Sequence, residues 1–328
     1  MLISVLLPFD KVNNYLFQCI ESIYYASGLD IETILIYDNK GIEGLENLIN
    51  CISTFKNIHV IYSEKKGISS SLNYGINFSK GSYVARLDSD DLVLPGRFEI
   101  QSTYLDRNAD CAVVGGQVEY IDENGKSLRR SHLPLNVSEN LQNGCYIIHP
   151  TVMIRKSVLI AIGGYSELFT ISGKTIVEDY ELWLRISEKH QMHNLEVCVL
   201  KYREHKTQSS RILGPEISLA SLLLRLMYLS RSPQKITLRL FESQNVYLIG
   251  KYFIDYFQTY YDSNLSHRLL LKDAFLFYFF VQNMTFCLRS KILSQLFLID
   301  VIYILNYLLK EICTIQSLRA ALFRFLRN

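Results

Sequence analysis

Three carboxylates fall within four positions of "RLDSDDLVLP", residues 86–95, where Asp88, Asp90 and Asp91 follow an aliphatic run and precede a proline. Like charges repel, and burying any one of them is costly. A hard divalent cation such as Mg2+ or Mn2+ would offset both costs, because it takes oxygen ligands and commonly shares one or two carboxylates with substrate phosphates. In an extended segment Asp88 and Asp90 would point to the same side and share one site, with Ser89 facing away. The competing assignment is a solvated turn whose acids cap the helix that Pro95 would start.

Other positions carry chemistry of their own. Glu178 and Asp179 open "EDYELWLR" directly after the glycine-bearing stretch "TISGKTIV". They could be dipole partners in a first helical turn, or a general base presented from behind a mobile loop that contains Gly173. His149 stands before Pro150, and Arg203, His205 and Lys206 cluster in "YREHKTQSS", where cations could hold a diphosphate leaving group. Asp38, at the end of "ILIYDN", could accept from a ribose or a base N–H, or simply close an Asx turn.

Strands and helices in turn must position these side chains. Strands are expected at "LISVLLP", "IETILIY", "IHVIY" and "SYVARL", with helices at "YLFQCIESIYYAS", around 43–54, and at "ISSSLNYGINFS". That order, with short Gly, Asn or Asp connections, is the mark of βαβ units on a mainly parallel sheet, which binds ligands at the carboxyl ends of its strands. From 111 to about 200 the pattern is mixed: a hairpin with Asn124-Gly125 at its turn, a strand into a short helix at "HPTVMIRKSVLIAIGGY", and a helix at "VEDYELWLRISEKH". The expected division is a domain over 1–212, with a nucleotide-binding half at 1–110 and an acceptor half at 111–212, followed by a helical region over 213–328.

That last region contains "AFLFYFFVQNMTFCL" and "LSQLFLIDVIYILNYLL", both shorter than the roughly 20 apolar residues of a spanning helix. Its final segment alternates Arg319, Arg324 and Arg327 with Leu322, Phe323, Phe325 and Leu326. Such a segment could lie on an anionic lipid surface, or pack as a hydrophobic subdomain or dimer interface.

Composition narrows the classes. The 328 residues are 49% apolar and 20% charged, which excludes a disordered chain, and the formal charge of +2 with no arginine-rich tract argues against nucleic acid. The seven cysteines, Cys19, Cys51, Cys111, Cys145, Cys198, Cys287 and Cys313, show no metal or disulfide spacing and read as reduced thiols of a cytosolic protein. The opening "MLISVLLPFD" lacks a basic region before its apolar run, so no signal peptide is expected.

Taken in order, "SVLLPFDKVNNYLFQCIESI", "ETILIYDN", "KGISSSLNYGINFSKGSYVARLDSDDLVLPGRFE", "HPTVMIRKSVLIAIGGY" and "EDYELWLRIS" resemble the family 2 glycosyltransferases, which have the GT-A nucleotide-sugar-binding fold. The resemblance spans about 1–210 and implies an α/β fold with a mixed, mainly parallel sheet flanked by helices. It implies inverting transfer of a sugar from a nucleotide diphosphate donor, a UDP-sugar by preference, to a saccharide or lipid-linked acceptor, with Mn2+ or Mg2+ as cofactor. Position by position, Pro8 and Phe9 close the first strand over the nucleotide, and Asp38 matches the acid that contacts the base. Where relatives often show two acids followed by Gly-Ser, this chain has Tyr37-Asp38-Asn39-Lys40.

Asn73 lies in the helix packed beside the nucleotide. Asp88 and Asp90 match the metal-binding DxD motif, Ser89 lies between them among the donor contacts, and Asp91 supports its neighbours. Asp179 matches the catalytic base, with Glu178 beside it, while Arg203 supports and His205 approaches the metal or diphosphate. The implied setting is the cytoplasm, peripheral at the inner face of the membrane, in surface-polysaccharide synthesis. Two rivals are a sugar nucleotidyltransferase, whose glycine-rich phosphate loop "PFDKVNNYL" does not supply, and a catalytically inactive assembly subunit.

Overall fold

Strand β1 (Ile3–Pro8) is apolar on both faces, with Ile3, Val5, Leu6 and Leu7 all buried, as a strand covered by helices on each side must be. Helix α1 (Asn14–Ala26) covers one face: Leu16, Cys19, Ile20, Ile23 and Ala26 recur at helical spacing and are buried, and the Asn13 carboxamide caps its start by accepting the Leu16 N–H. β2 (Ile31–Tyr37), α2 (Leu45–Ile52), β3 (Ile58–Tyr62) and α3 (Ile68–Phe78) follow, then β4 (Tyr83–Arg86). In α3, Gly75 lets the helix lie close on the sheet; a Cβ there would sit 2.4 Å from Ile36 Cδ1.

This computed structural model describes residues 2–206 apart from 27, 40, 167–169 and 172–173, together with 208, 217, 221 and 224. The chain divides into units Met1–Tyr228 and Leu229–Asn328, and every described residue belongs to the first. The apolar stretches at 274–288 and 293–309, the basic end and Gly173 lie outside the described residues. Among the described residues no helix is long and apolar enough to cross a membrane.

The remaining elements are β5 (Leu92–Val93), α4 (Arg97–Arg107), β6 (Cys111–Ile121), β7 (Ser127–Arg130), β8 (Met153–Arg155), α5 (Lys156–Ala161), β9 (Thr170–Ile171), β10 (Lys174–Thr175), α6 (Glu178–Ser187) and β11 (Gln191–Arg203). The main sheet runs β3-β2-β1-β4-β8-β6-β11-β5, with β7 on β6. β1 through β4 are mutually parallel, β8 is antiparallel to both its neighbours, and β11 runs parallel to β6. Chain order reverses between β1 and β4, and that switch is where ligands enter such sheets.

The expected strands and helices of the first 110 residues are present nearly to the residue. The hairpin turn is longer than a two-residue one: the Asp122 carboxylate accepts the N–H groups of Asn124 and Lys126, and Gly125 takes φ +85°. Pro95 does not start a helix capped by the acids. α4 begins at Arg97, its N-cap is Gly96 with no side-chain cap, and β5 intervenes.

Candidate active site

The carboxyl ends of the parallel strands gather the donor-side candidates. Pro8 ends β1, paired with Ile36, and Phe9 follows it, buried, with its N–H on Ile36 O. The Phe9 and Tyr37 rings stand 5.8 Å apart, and Tyr37 and Tyr62 5.3 Å apart, so an aromatic row crosses the ends of β1, β2 and β3. Asp38 accepts the Gly67 N–H on Oδ2 at 2.7 Å, tying the end of β2 to the entry of α3. The Asn73 carboxamide is engaged by the main chain of Tyr165, so it joins α3 to the loop before β9.

The acids gather by a turn, not by strand alternation. β4 ends at Arg86, and the Asp91 N–H returns to Asp88 O at 3.3 Å, folding Asp88, Ser89, Asp90 and Asp91 into one turn. One ligand oxygen from each of the three aspartates lies within 4.8 Å of the others. Asp88 pairs with Arg86 at 2.5 Å, and Asp90 Oδ2 lies 2.7 Å from His205 Nε2. Asp91 is fully buried; its Oδ1 accepts the Arg203 N–H at 2.8 Å, and its Oδ2 has no partner among the described residues. The Ser89 side chain is half-buried in this turn.

Burial, then repulsion from Asp88 and Asp90, pushes the Asp91 carboxyl well above its usual range. Asp90 is raised by burial and Asp88 and held back by His205. Beneath them the Cys19 thiol donates to Asp88 O at 3.3 Å, and its own pKa is driven well up by burial and the acids. It is a buried neutral thiol with no nucleophilic character.

β5 and β11 explain how the late cations arrive here. Their antiparallel pairing, Leu200 with Val93 and Lys201 with Leu92, carries the end of β11 onto the acidic turn. Arg203 is buried and spends its guanidinium on Asp90 O, Asp122 O, Glu123 O and Gln18 Oε1, and it stacks 4.5 Å over the Tyr15 ring. It braces the turn and leaves little to offer a diphosphate. Lys206 is exposed.

Glu178 and Asp179 sit in the first turn of α6, directly after Val177, whose φ of +53° is rare for a β-branched residue. The Glu178 carboxyl is pushed up to about 8 by burial, and next by Asp179; Asp179 is raised as well, chiefly by burial. Such an elevated acid pair is what a proton acceptor near neutral pH requires.

Sequence reasoning did not find Arg86, which ends β4 and is buried, its charge felt by Asp88, Tyr165 and Glu178 together. It also passed over Tyr165, bonded to His149 at 2.8 Å. A lone Arg inside the apolar run "YVARL" was the available signal for the first.

The Glycosyl transferase family 2 profile matches residues 4–165. The O-antigen biosynthesis glycosyltransferase WbnJ of Escherichia coli is 32% identical over 231 residues, 67% of this chain and 87% of that protein. The amylovoran biosynthesis glycosyltransferase AmsE of Erwinia amylovora is 32% identical over 193 residues, 57% of this chain and 69% of that protein. Among solved structures, S. aureus TarS 1-349 in complex with UDP-GlcNAc superposes with a TM-score of 0.56 at 15% identity, covering 79% of this chain and 73% of that one, a likeness of fold. The matched stretch runs from β1 through the acidic turn to Tyr165, and the chain belongs to glycosyl transferase family 2, a glycosyltransferase of GT-A fold.

Proposed function

We propose that the protein transfers a sugar, with inversion, from a UDP-sugar to a hydroxyl of a saccharide or lipid-linked acceptor in the synthesis of a surface polysaccharide. One observation carries this reading: three aspartates converge in one turn at the carboxyl end of β4, with Asp88 on the buried Arg86 and Asp90 on His205. The relatives' roles in O-antigen and amylovoran biosynthesis support the product class, and the UDP-GlcNAc bound by TarS supports the donor class.

The donor set fits a hard divalent cation, because three carboxylates converge and Asp91 Oδ2 is buried without a partner. Asp90 and Asp88 would hold Mn2+ or Mg2+, with Asp91 behind them. When bound, the cation supplies neutralising charge for a diphosphate leaving group. Phe9 and Pro8 back the nucleotide, Asp38 faces its base side, and His205 steadies Asp90. Asp179 takes the proton of the acceptor hydroxyl as that oxygen attacks the anomeric carbon from the face opposite the leaving group, and Glu178 shares its charge. The apolar and basic stretches after residue 265 dock the enzyme at the inner face of the membrane, and fractionation with and without them checks this; a truncated protein that stays on the membrane refutes it.

A thermal-shift panel of UDP, GDP and dTDP, each with Mn2+ or EDTA, tests the donor site. UDP is expected to stabilise the wild type only with metal, by about 2.7 kcal/mol at 100 times its dissociation constant, and Asp90→Ala to abolish the effect. Stabilisation by none of the three, or equal stabilisation in EDTA, overturns the reading.

A further inference from the structure

Tyr165 is fastened from three sides. Asn73 Nδ2 donates to Tyr165 O and Asn73 Oδ1 accepts the Tyr165 N–H, both at 2.8 Å. Gly164 makes this clasp possible: it takes φ +72°, and a Cβ there would lie 2.3 Å from Asn73 Oδ1. From α6, Arg185 donates to Ile162 O and Gly164 O, each at 2.7 Å, while also paired with Glu181. At its far end the Tyr165 hydroxyl meets His149 Nε2 at 2.8 Å, and His149 Nδ1 faces Glu178 Oε1 at 3.7 Å.

Two helices are thereby joined that no local sequence joins. α3 is anchored at its entry by Asp38, on the donor side, and α6 presents Glu178 and Asp179. Asn73 and Tyr165 are 92 residues apart. Burial, and then Arg86, hold His149 well below its usual pKa, so its ring is neutral and carries one donor and one acceptor. With the proton on Nδ1, the tyrosine hydroxyl donates to Nε2 and the Nδ1–H faces Glu178, giving one continuous polar path from α3 to α6. Trp183 covers the ring from the side at 5.9 Å, which leaves the imidazole little room to turn.

We propose that Asn73, Tyr165 and His149 are positioning residues that register the acid pair of α6 against the donor-side helix α3. The inference rests on Asp179 being the base. A base is effective only within hydrogen-bond reach of the attacking hydroxyl, and a misplacement of about 1 Å costs on the order of 100-fold in rate. None of the three residues needs to touch substrate for this role.

The test uses the full-length protein with 15N-labelled histidine, together with UDP release from UDP-GlcNAc in Mn2+. Tyr165→Phe removes only the hydroxyl, and Asn73→Ala releases the tyrosine without contacting His149. Both are expected to shift the His149 ring-nitrogen signals, as is Glu178→Gln at the other end. Both are also expected to lower kcat by roughly 10- to 100-fold, Tyr165→Phe with the donor KM and the UDP-dependent thermal shift unchanged.

Asp179→Asn is measured beside them. If it retains wild-type turnover, the base assignment fails, and the ring-nitrogen response still decides whether the path exists. If it abolishes turnover while Tyr165→Phe and Asn73→Ala keep wild-type kcat, the positioning role is overturned and the base assignment stands. Where the wild type releases no UDP from this sugar, unmoved His149 signals in Asn73→Ala overturn the proposal and shifted ones support it.

Discussion

Arg86 Nη2 lies 2.5 Å from Asp88 Oδ1, so the acidic turn rests on a buried cation that the strand itself delivers. Burial works against the Arg86 charge, but Asp88 beside it prevails and holds the guanidinium above its usual pKa. Arg86→Met removes that cation. The Asp88 side chain is 34% exposed and can rehydrate, so the expected loss is about 2 kcal/mol, below the ~3–5 kcal/mol of a fully buried pair. Urea unfolding measures it, and a loss within that range would mean that water does not reach Asp88.

Asp91 behaves in the opposite sense. Its carboxylate is buried with one oxygen unpartnered, and its carboxyl is held well above the usual range, so the folded protein without metal favours a neutral group there. Asp91→Asn keeps an acceptor for the Arg203 N–H and removes the charge. In EDTA at pH 7.5 it is expected to raise stability by about 1–2 kcal/mol, or roughly 2–8 °C in melting temperature. In Mn2+ the gain from metal and UDP should shrink. Equal Mn2+ increments in the two proteins would remove Asp91 from the metal's surroundings.

Glu178 sets a pH dependence whose sign is unusual for an acid. Its folded carboxyl is pushed up to about 8 from 4.5, so between those values the native state holds a proton that the unfolded chain has released. Stability therefore falls as pH rises through that window. Glu178→Gln removes the contribution. The difference between variant and wild type should grow in the variant's favour from pH 5 to 8 and level off above, by up to ~1.4 kcal/mol for each unit of true shift. Melting curves across that range measure it, and a difference independent of pH would show that Glu178 ionises normally.

Val177 is buried and left-handed at φ +53°, immediately before the acid pair. A β-branched residue in that region stores about 1–3 kcal/mol of strain. Val177→Gly releases the strain but loses apolar burial worth ~1.5–3 kcal/mol and adds ~0.5–1 kcal/mol of unfolded-state entropy. The net cost expected in urea is near 1 kcal/mol, while kcat falls because the start of α6 loses its fixed direction. A loss of about 3 kcal/mol or more would mean that the conformation is unstrained.

Local physics was legible wherever it had a period. The apolar runs of β1 and β2, the 3.6-residue spacing of α1 and the glycine at the entry to α3 mark their elements without reference to anything distant. Burial of Arg97 and Gln101, which carry the carbonyls of Arg86, Val114 and Thr151, was invisible, since on α4 both residues look like solvated polar positions. Burial also drags the Arg97 pKa down to about 9, a shift no sequence pattern announces.

Residue types and order by themselves determined the parallel strands β1 to β4, the family and the two acidic stretches, because strand and helix periods and short motifs are properties of neighbours along the chain. Tertiary structure alone decided how the acids meet and what answers them. A turn gathers Asp88, Asp90 and Asp91, and the pairing of β5 with β11 brings Arg203 to Asp91 across 112 residues and His205 to Asp90 across 115. Those partners depend on sheet register and on which charges burial leaves uncompensated, and both are settled only when the sheet closes.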